Sequence, residues 1–295
     1  MSNDHSVSKS LALYKKAEER IPGWTQLISR RADRVANGIS PLYIEQSKGA
    51  HFTDVDGNQY IDWIRALGAI ILGYADPVVD AAVKEQIDRG SLHTMNSALE
   101  IELADELINT IPCAEMVRYT KGGGEACAVA ARIARGTTDQ DIILFCGYHG
   151  WHDWYQSANY LVDPDSGEYP FAGIEPIGVP RALAGTAIPF SYGDLDMLGR
   201  LLSEHHGKVA AVMMEPARSE RPEPGYLEGV KELAHRHDAL LIFDEVSCGW
   251  RESLGGMQKQ LNVIPDITVV AKGMSNGYPM GAVVGTREAM EAAKF

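Results

Sequence analysis

Short apolar runs followed by turns constrain the fold of this chain more than any other feature of its sequence. Residues 208–214, 239–243 and 267–271 carry almost no polar side chains, which predicts strands buried on both faces of a parallel sheet. From residue 114 onward, helical patterns alternate with such runs. The alternation predicts an α/β fold in which a mostly parallel sheet has helices on both faces.

Composition excludes several classes of protein. The 295 residues allow one large or two medium domains, and the net charge of −13 argues against a nucleic-acid partner. No apolar run reaches the length of a membrane span, and the polar opening lacks the core of a signal peptide. A cytoplasmic protein without a membrane partner is expected. The four cysteines lack metal or redox spacing, so we expect reduced thiols and no metal site.

The first part of the chain has a different pattern. An amphipathic helix is predicted over residues 8–20, and residues 42–62 alternate with period two around an Asp-Gly turn at 56–57. We therefore assign residues 1–75 to an N-terminal arm and a hairpin segment of a small domain. Residues 76–295 are assigned to a large α/β domain.

Two chemically useful side chains follow buried runs. Asp244 comes directly after residues 239–243, and Lys272 directly after 267–271, at the carboxyl ends of strands where open α/β sheets hold ligands. Pyridoxal phosphate needs a lysine to hold its aldehyde as a Schiff base and an acid beside its ring nitrogen. Taken singly, Asp244 could instead be a helix N-cap and Lys272 a solvated loop residue.

A glycine-rich loop lies between a predicted strand and a predicted helix. Gly123 and Gly124 end the loop at 121–124, and free N–H groups at the start of a helix can bind phosphate oxygens. The alternative is a plain flexible turn. A dinucleotide fingerprint is excluded because the G-x-G-x-x-G spacing is absent.

Aromatic rings crowd the loop after another predicted strand. Tyr148, His149 and His152 lie within residues 146–152, and such rings could sandwich a planar cofactor. A zinc site at His149 and His152 is the weaker interpretation, since no third ligand lies nearby. Glu215 adds a further carboxylate at the end of the run over 208–214.

These motifs together carry a family resemblance. In their order and spacing they resemble the class III (subgroup II) pyridoxal-phosphate-dependent aminotransferases of fold type I. The stretches 41–45, 54–57 and 70–73 are similar to those of glutamate-1-semialdehyde aminomutase and its aminotransferase relatives. The motifs are Tyr148-His-Gly150, Glu215-Pro216, Asp244-Glu-Val246 and Lys272-Gly273.

The resemblance implies a role for each matching residue. Lys272 would be the Schiff-base lysine and the proton carrier, and Asp244 would pair with the pyridine nitrogen. Val246 and Tyr148 would pack on the two faces of the cofactor ring, with His149 behind Tyr148. Gly123 and Gly124 would bind the phosphate. Glu215 would lie beside the cofactor, and Glu220 near the cofactor hydroxyl or a substrate-gating arginine.

The resemblance also implies a seven-stranded type of sheet in the large domain, plus the N-terminal part of a small α+β domain. Family members are longer, so the C-terminal small domain is expected to be absent. Two sequence departures are the triple glycine at 122–124, where the family commonly has Ser-Gly-Thr, and residues 64–67. The triple glycine would leave phosphate binding to backbone N–H groups. The departure at residues 64–67 favours a general aminotransferase over the aminomutase.

The implied function is transfer of an amino group from an amino acid or amine donor to a keto acid or aldehyde acceptor, through Lys272. A homodimer with a shared active site is expected. Two alternatives stay open at this point. One is intramolecular amino transfer by an aminomutase, and the other is a truncated homologue that binds the cofactor without turnover.

Overall fold

The computed structural model describes residues 5–161, 176–217 and 221–294. The chain divides into two compact units, Met1–Leu92 and His93–Phe295. The predicted assignment of residues 76–92 to the large domain stays a prediction. Within the described ranges, no helix has both the length and the apolar character that crossing a membrane requires.

The first unit contains a small antiparallel sheet, as its period-two pattern predicts. Strands pair in the order β1-β2-β3, and the predicted turn connects β2 to β3. The buried Asp54 carboxylate holds this turn, because it accepts hydrogen bonds from the backbone N–H groups of Asp56 at 3.0 Å and Asn58 at 2.8 Å. The strands are β1 Ile44–Lys48, β2 His51–Asp54 and β3 Gln59–Ile61.

Short helices complete the first unit. Asp76 caps α3 by accepting hydrogen bonds from the N–H groups of Val78 and Val79, and Pro77 occupies its first position, where the missing N–H costs nothing. Ala66 and Leu67 within α2 have left-handed backbone angles. The α-helices are α1 Ser8–Glu18, α2 Arg65–Gly68 and α3 Pro77–Arg89, and the 3-10 helices are Ile28–Arg30 and Ala32–Arg34.

The second unit is built on a seven-stranded sheet with the order β4-β10-β9-β8-β7-β5-β6. Strands β6, β5, β7, β8 and β9 pair in parallel, and β10 is antiparallel to both β9 and β4. The prediction of a mostly parallel seven-stranded sheet is therefore confirmed. The strands are β4 Met116–Thr120, β5 Ile142–Cys146, β6 Ala187–Pro189, β7 Val209–Met214, β8 Leu240–Asp244, β9 Ile267–Val270 and β10 Gly281–Gly285.

Helices cover both faces of this sheet, because alternate residues of each strand point to opposite sides. Ile143 and Phe145 of β5 belong to the same apolar cluster as α5 residues. Their neighbours Ile142 and Leu144 belong to a second cluster with residues of the helices at 195–204 and 226–236. The α-helices are α4 Ala98–Thr110, α5 Gly123–Thr138, α6 Asp153–Gln156, α7 Leu195–Glu204, α8 Tyr226–Arg236 and α9 Gly256–Leu261, and the 3-10 helices are Ser157–Tyr160, Arg181–Leu183, Lys272–Ser275 and Glu291–Ala293.

Three local features differ from the sequence expectations. Helix α5 begins at Gly123 rather than at Glu125, so both of the predicted phosphate-binding glycines lie in its first turn. Asp244 is the last residue of β8 rather than the first residue after it. Strand β10 has no counterpart among the predicted elements, because it is a short segment bounded by glycines.

Candidate active site

Neighbouring strands bring the predicted acid and amine to one edge of the sheet. Asp244 ends β8, and Lys272 follows β9 after one intervening residue. These two strands are adjacent and parallel, and Asp244 pairs with Val269 in their register. Both side chains line a cleft of about 500 Å³, and the start of α5, the loop at 148–152, the turn after β8 and residues 278–280 form its other walls.

The Asp244 carboxylate is buried and held by three donors. Its Oδ2 is 2.8 Å from Nδ1 of His149 and 3.3 Å from the thiol sulfur of Cys127, which donates to it. Its Oδ1 accepts a hydrogen bond from the Val246 N–H at 3.0 Å. Because a carboxylate only accepts hydrogen bonds, Nδ1 of His149 must carry a proton.

Lys272 is partly buried at the mouth of the cleft. Its Nζ donates a hydrogen bond to Ser247 Oγ at 2.6 Å. Burial lowers the pKa of Lys272, although the carboxylates of Asp244 and Glu215 act in the opposite direction. A lowered pKa increases the fraction of free amine, which is the nucleophilic form.

The start of α5 presents backbone to the cleft. Gly123 and Gly124 both line it, and the first N–H groups of a helix have no carbonyl partner within the helix. Glycine at 123 is required by packing, because a Cβ there would lie 2.8 Å from a methyl carbon of Val246. The arrangement is that of an anion-binding helix N-terminus.

The aromatic loop after β5 forms another wall. Tyr148 is partly exposed in the cleft, and its ring lies 5.5 Å from that of Trp151. Burial raises the pKa of Tyr148 to about 12, so its hydroxyl stays protonated at neutral pH. His149 is buried behind it, and among the described residues its Nε2 has no hydrogen-bond partner.

The remaining predicted site residues lie elsewhere. Glu215 is buried directly after β7, and its Oε2 accepts a hydrogen bond from the Tyr148 N–H at 3.2 Å. It therefore fixes the aromatic loop but is not among the residues that line the cleft. Glu220 lies outside the described residues, so its role stays a prediction.

Two residues that hydrogen-bond to Asp244 or Lys272 were not predicted from the sequence. Cys127 lies four positions after Gly123 in α5, a spacing that places both on one helix face, so the pattern of the helix could have indicated it. Ser247 belongs to the turn after β8, and nothing in the sequence indicates its contact with Lys272.

A group of possible metal ligands exists within the described ranges, but it differs from the pair of histidines weighed above. Ligand atoms of Cys127, His149 and Asp244 all lie within 4.8 Å of one another. Burial, together with the neighbouring Asp244, raises the pKa of Cys127 well above its ordinary range. A protonated thiol is a hydrogen-bond donor, and a metal would have to displace that proton.

The fold is that of an α/β protein, and the cleft lies at the carboxyl edge of its parallel strands, where open α/β sheets hold their ligands. The family model for Aminotransferase class-III matches residues 33–295. A 3-aminobutyryl-CoA aminotransferase from Cloacimonas acidaminovorans is 36% identical over 99% of this chain and 68% of its own length. A glutamate-1-semialdehyde 2,1-aminomutase from Methanothrix thermoacetophila is 40% identical over 97% of this chain and 65% of its own.

A solved structure of a transaminase with PLP bound has a TM-score of 0.85 and 28% identity, covering 96% of this chain and 66% of that one. The chain belongs to the class III aminotransferase family, as its motifs predict. The structural similarity and the sheet topology confirm the predicted fold class. The chain spans about two-thirds of the length of these two curated relatives.

Proposed function

We propose that this chain contains the cofactor centre of a pyridoxal 5′-phosphate-dependent aminotransferase. The reaction transfers an amino group from an amino acid or amine to a keto acid or aldehyde. One observation carries the proposal: Lys272 and Asp244 line the same cleft from neighbouring strand ends. Family membership and the similar transaminase with PLP bound support the choice of cofactor.

The residues of the cleft fit the chemical groups of this cofactor. The N–H groups at Gly123 and Gly124 would bind its phosphate, and the Asp244 carboxylate would meet its ring nitrogen. Tyr148 and Val246 both line the cleft and would pack on the flat ring. When bound, the cofactor supplies a ring that stabilises negative charge at the substrate carbon next to the amine.

The chain's own residues then divide the work. Lys272 would hold the aldehyde of the cofactor, and the lowering of its pKa by burial favours the unprotonated amine. Once an amino donor has replaced it, Nζ of Lys272 would take the proton from the amine-bearing carbon and carry it to the cofactor carbon that held the aldehyde. Ser247 holds this Nζ through its hydroxyl, and His149 fixes the orientation of Asp244.

Glu215 and Glu220 have supporting roles in this proposal. Glu215 holds the backbone of the aromatic loop beside the cofactor. Glu220 keeps its proposed place near the cofactor hydroxyl or a substrate-gating arginine.

A titration of the chain with pyridoxal 5′-phosphate tests the proposal. We expect a yellow absorbance band that an amine donor bleaches, and loss of the covalent adduct in Lys272→Ala. Lys208→Ala is the matched control, because Lys208 is exposed and is not among the residues that line the cleft. A borohydride-reduced adduct on any lysine other than Lys272 would contradict the proposed centre.

Intramolecular amino transfer is a second candidate, because the Methanothrix relative is an aminomutase. Both reactions need the same groups in the cleft. Supplying glutamate-1-semialdehyde alone, and separately an amine donor with a carbonyl acceptor, distinguishes them. A chain that binds the cofactor but never responds to an amine donor would instead be a non-catalytic member of the family.

We also propose that the protein acts as a homodimer whose active site is shared between subunits. Apolar side chains on α4 are exposed in a single copy, with Ile101 68% and Leu99 50% accessible, and large apolar patches mark interfaces. Light scattering at micromolar concentration measures the assembly state. A monomeric chain with full cofactor affinity would refute the shared site.

A cytoplasmic location without nucleic-acid or membrane partners completes the proposal. All four cysteines of the chain are free thiols, the state that a reducing compartment maintains. The net charge of −13 opposes binding to nucleic-acid phosphates.

A further inference from the structure

The two oxygens of the Asp244 carboxylate have unequal surroundings. Oδ2 has two side-chain donors, the His149 imidazole at 2.8 Å and the Cys127 thiol at 3.3 Å. Oδ1 has one donor among the residues that the structure describes, the backbone N–H of Val246 at 3.0 Å. A carboxylate oxygen has about two acceptor positions, so Oδ2 is saturated and Oδ1 can still accept one hydrogen bond.

Cys127 lines the cleft, and its thiol donates a hydrogen bond to Asp244. The side chain is fully buried in α5, one turn after Gly123. Burial is the main cause that raises the pKa of its thiol well above the ordinary range. The thiol therefore stays protonated and donates a hydrogen bond to the carboxylate. A protonated thiol is not a nucleophile.

We propose that Cys127 is a positioning residue whose thiol, together with His149, saturates Oδ2 of Asp244 and presents Oδ1 to the ring nitrogen of the cofactor. This inference rests on the proposed function, because it concerns the same cleft. It links the two ends of the site through one helix: Gly123 would bind phosphate at the start of α5, and Cys127 would orient the carboxylate one turn later.

Substitutions that separate hydrogen bonding from volume test the proposal. Cys127→Ser keeps a donor, whereas Cys127→Val fills similar space without one. Cys146→Val is the control, because Cys146 is a buried cysteine in the apolar cluster on the opposite face of the sheet. The measurement is the dissociation constant for pyridoxal 5′-phosphate, with thermal unfolding of each variant recorded alongside.

The expected result is a loss of affinity that depends on the donor. Cys127→Val should bind the cofactor about fivefold more weakly, the effect of one hydrogen bond of about 1 kcal/mol. Cys127→Ser should restore binding to within about twofold of wild type, and Cys146→Val should match wild type. Equal weakening in Cys127→Ser and Cys127→Val would show that packing matters and not the donor, which would overturn the proposal.

A second measurement needs no cofactor. In nitrogen-15-labelled protein, the proton on Nδ1 of His149 reports on the strength of its bond to Oδ2. Its resonance should move downfield in Cys127→Val, because the imidazole becomes the only side-chain donor on that oxygen, and should stay near its wild-type position in Cys127→Ser. An unmoved resonance in Cys127→Val would show that the thiol does not share Oδ2.

Metal binding is the competing use of this group of side chains. Adding Co²⁺ to the wild-type chain should give no thiolate-to-metal absorbance band, and a band that disappears in Cys127→Ser would overturn the proposal. Failure of the proposed function gives a different result. If the wild-type chain binds no pyridoxal phosphate, both ideas fail, whereas tight binding by wild type and Cys127→Val alike refutes only the inference.

Discussion

Asp244 and Glu245 are neighbouring buried carboxylates with different surroundings. Asp244 lines the cleft and meets side chains from α5 and the aromatic loop. Glu245 is held at α9, where it accepts hydrogen bonds from the Met257 N–H at 2.6 Å, the Gln258 N–H at 3.1 Å and the Gln258 side-chain amide at 3.1 Å. The same chemical group therefore serves two purposes at adjacent positions.

The two carboxylates have equal numbers of donors and differ in where those donors come from. The donors of Glu245 belong to α9, and Gln258 in turn contacts the Thr268 hydroxyl at 2.8 Å and the Cys113 N–H at 3.0 Å. This buried network joins α9 to β9 and to the chain before β4. Each carboxylate has one oxygen that can accept a further hydrogen bond, but Asp244 lines the cleft whereas Glu245 does not, so Asp244 is the one placed to meet a ligand there. We therefore expect Asp244 to control activity and Glu245 to control stability.

The largest expected effect concerns activity. Asp244→Asn should lower kcat/KM on the order of 100-fold, because it removes a fixed charge from the reacting centre. Glu245→Gln should leave kcat/KM within about threefold per folded molecule. Steady-state kinetics on active-site-titrated protein measure both. Similar losses in the two variants would refute the division of roles.

The next effect concerns stability. Glu245→Ala should lower the free energy of unfolding by about 3 kcal/mol, because three buried donors lose their acceptor. The exposed Glu204 provides the control, since Glu204→Ala should change it by less than about 0.5 kcal/mol. Urea unfolding measures the difference, and a Glu245→Ala chain as stable as the control would contradict the structural role.

A smaller effect tests how closely the backbone approaches Glu245. Gly256 and Gly225 have similar positive φ angles of 74° and 83°. A Cβ at position 256 would lie 2.2 Å from Glu245 Oε2, whereas a Cβ at position 225 would meet no atom within 4 Å. Both alanine variants should lose about 1 kcal/mol to the left-handed backbone. Gly256→Ala should lose about 2 kcal/mol more by steric overlap. Equal melting temperatures would refute the close approach.

The smallest effect appears in the titration of Lys272. Burial lowers its pKa, and Asp244 partly opposes that shift. Asp244→Asn should therefore lower the pKa of Lys272 further, whereas Glu245→Gln should leave it unchanged. The pH dependence of amine labelling at Lys272, mapped by mass spectrometry with exposed Lys208 as reference, measures the shift. An unchanged profile in Asp244→Asn would contradict the electrostatic coupling.

The same shift predicts the sign of a stability change with pH. The unfolded chain holds the Lys272 proton up to a higher pH than the folded chain does. Between the lowered folded pKa and the ordinary value of 10.5, stability from this group should rise with pH. Below this pH range, Lys272 is charged in both the folded and the unfolded state, and burial of the charged side chain opposes folding.

Much of the large sheet could be predicted from the sequence. Its parallel strands are buried on both faces and therefore read as apolar runs, as residues 239–243 show. Strand β10 escaped prediction because Gly281 and Gly285 bound a segment only five residues long. Family membership was also predicted correctly, since several ordered motifs match at once.

The site was predictable where topology alone decides. Asp244 ends one strand and Lys272 follows another, and parallel strands end at a common edge, so their meeting in one cleft could be predicted from the sequence. Contacts that depend on loop geometry could not be predicted, as with Ser247 and Lys272. The spacing from Gly123 could have placed Cys127 on the cleft-facing side of α5, but its bond to Asp244 could not be predicted, because that contact joins residues far apart in the sequence.

The backbone at Lys272 has a consequence for relatives of this protein. Its φ of 45° is a left-handed conformation, which costs a residue with a side chain about 1 kcal/mol. The role proposed for its amine would account for a lysine at this position. In a relative that no longer needs this amine, replacing the lysine with glycine would increase the free energy of unfolding. Loss of the lysine is therefore favoured by stability at this position.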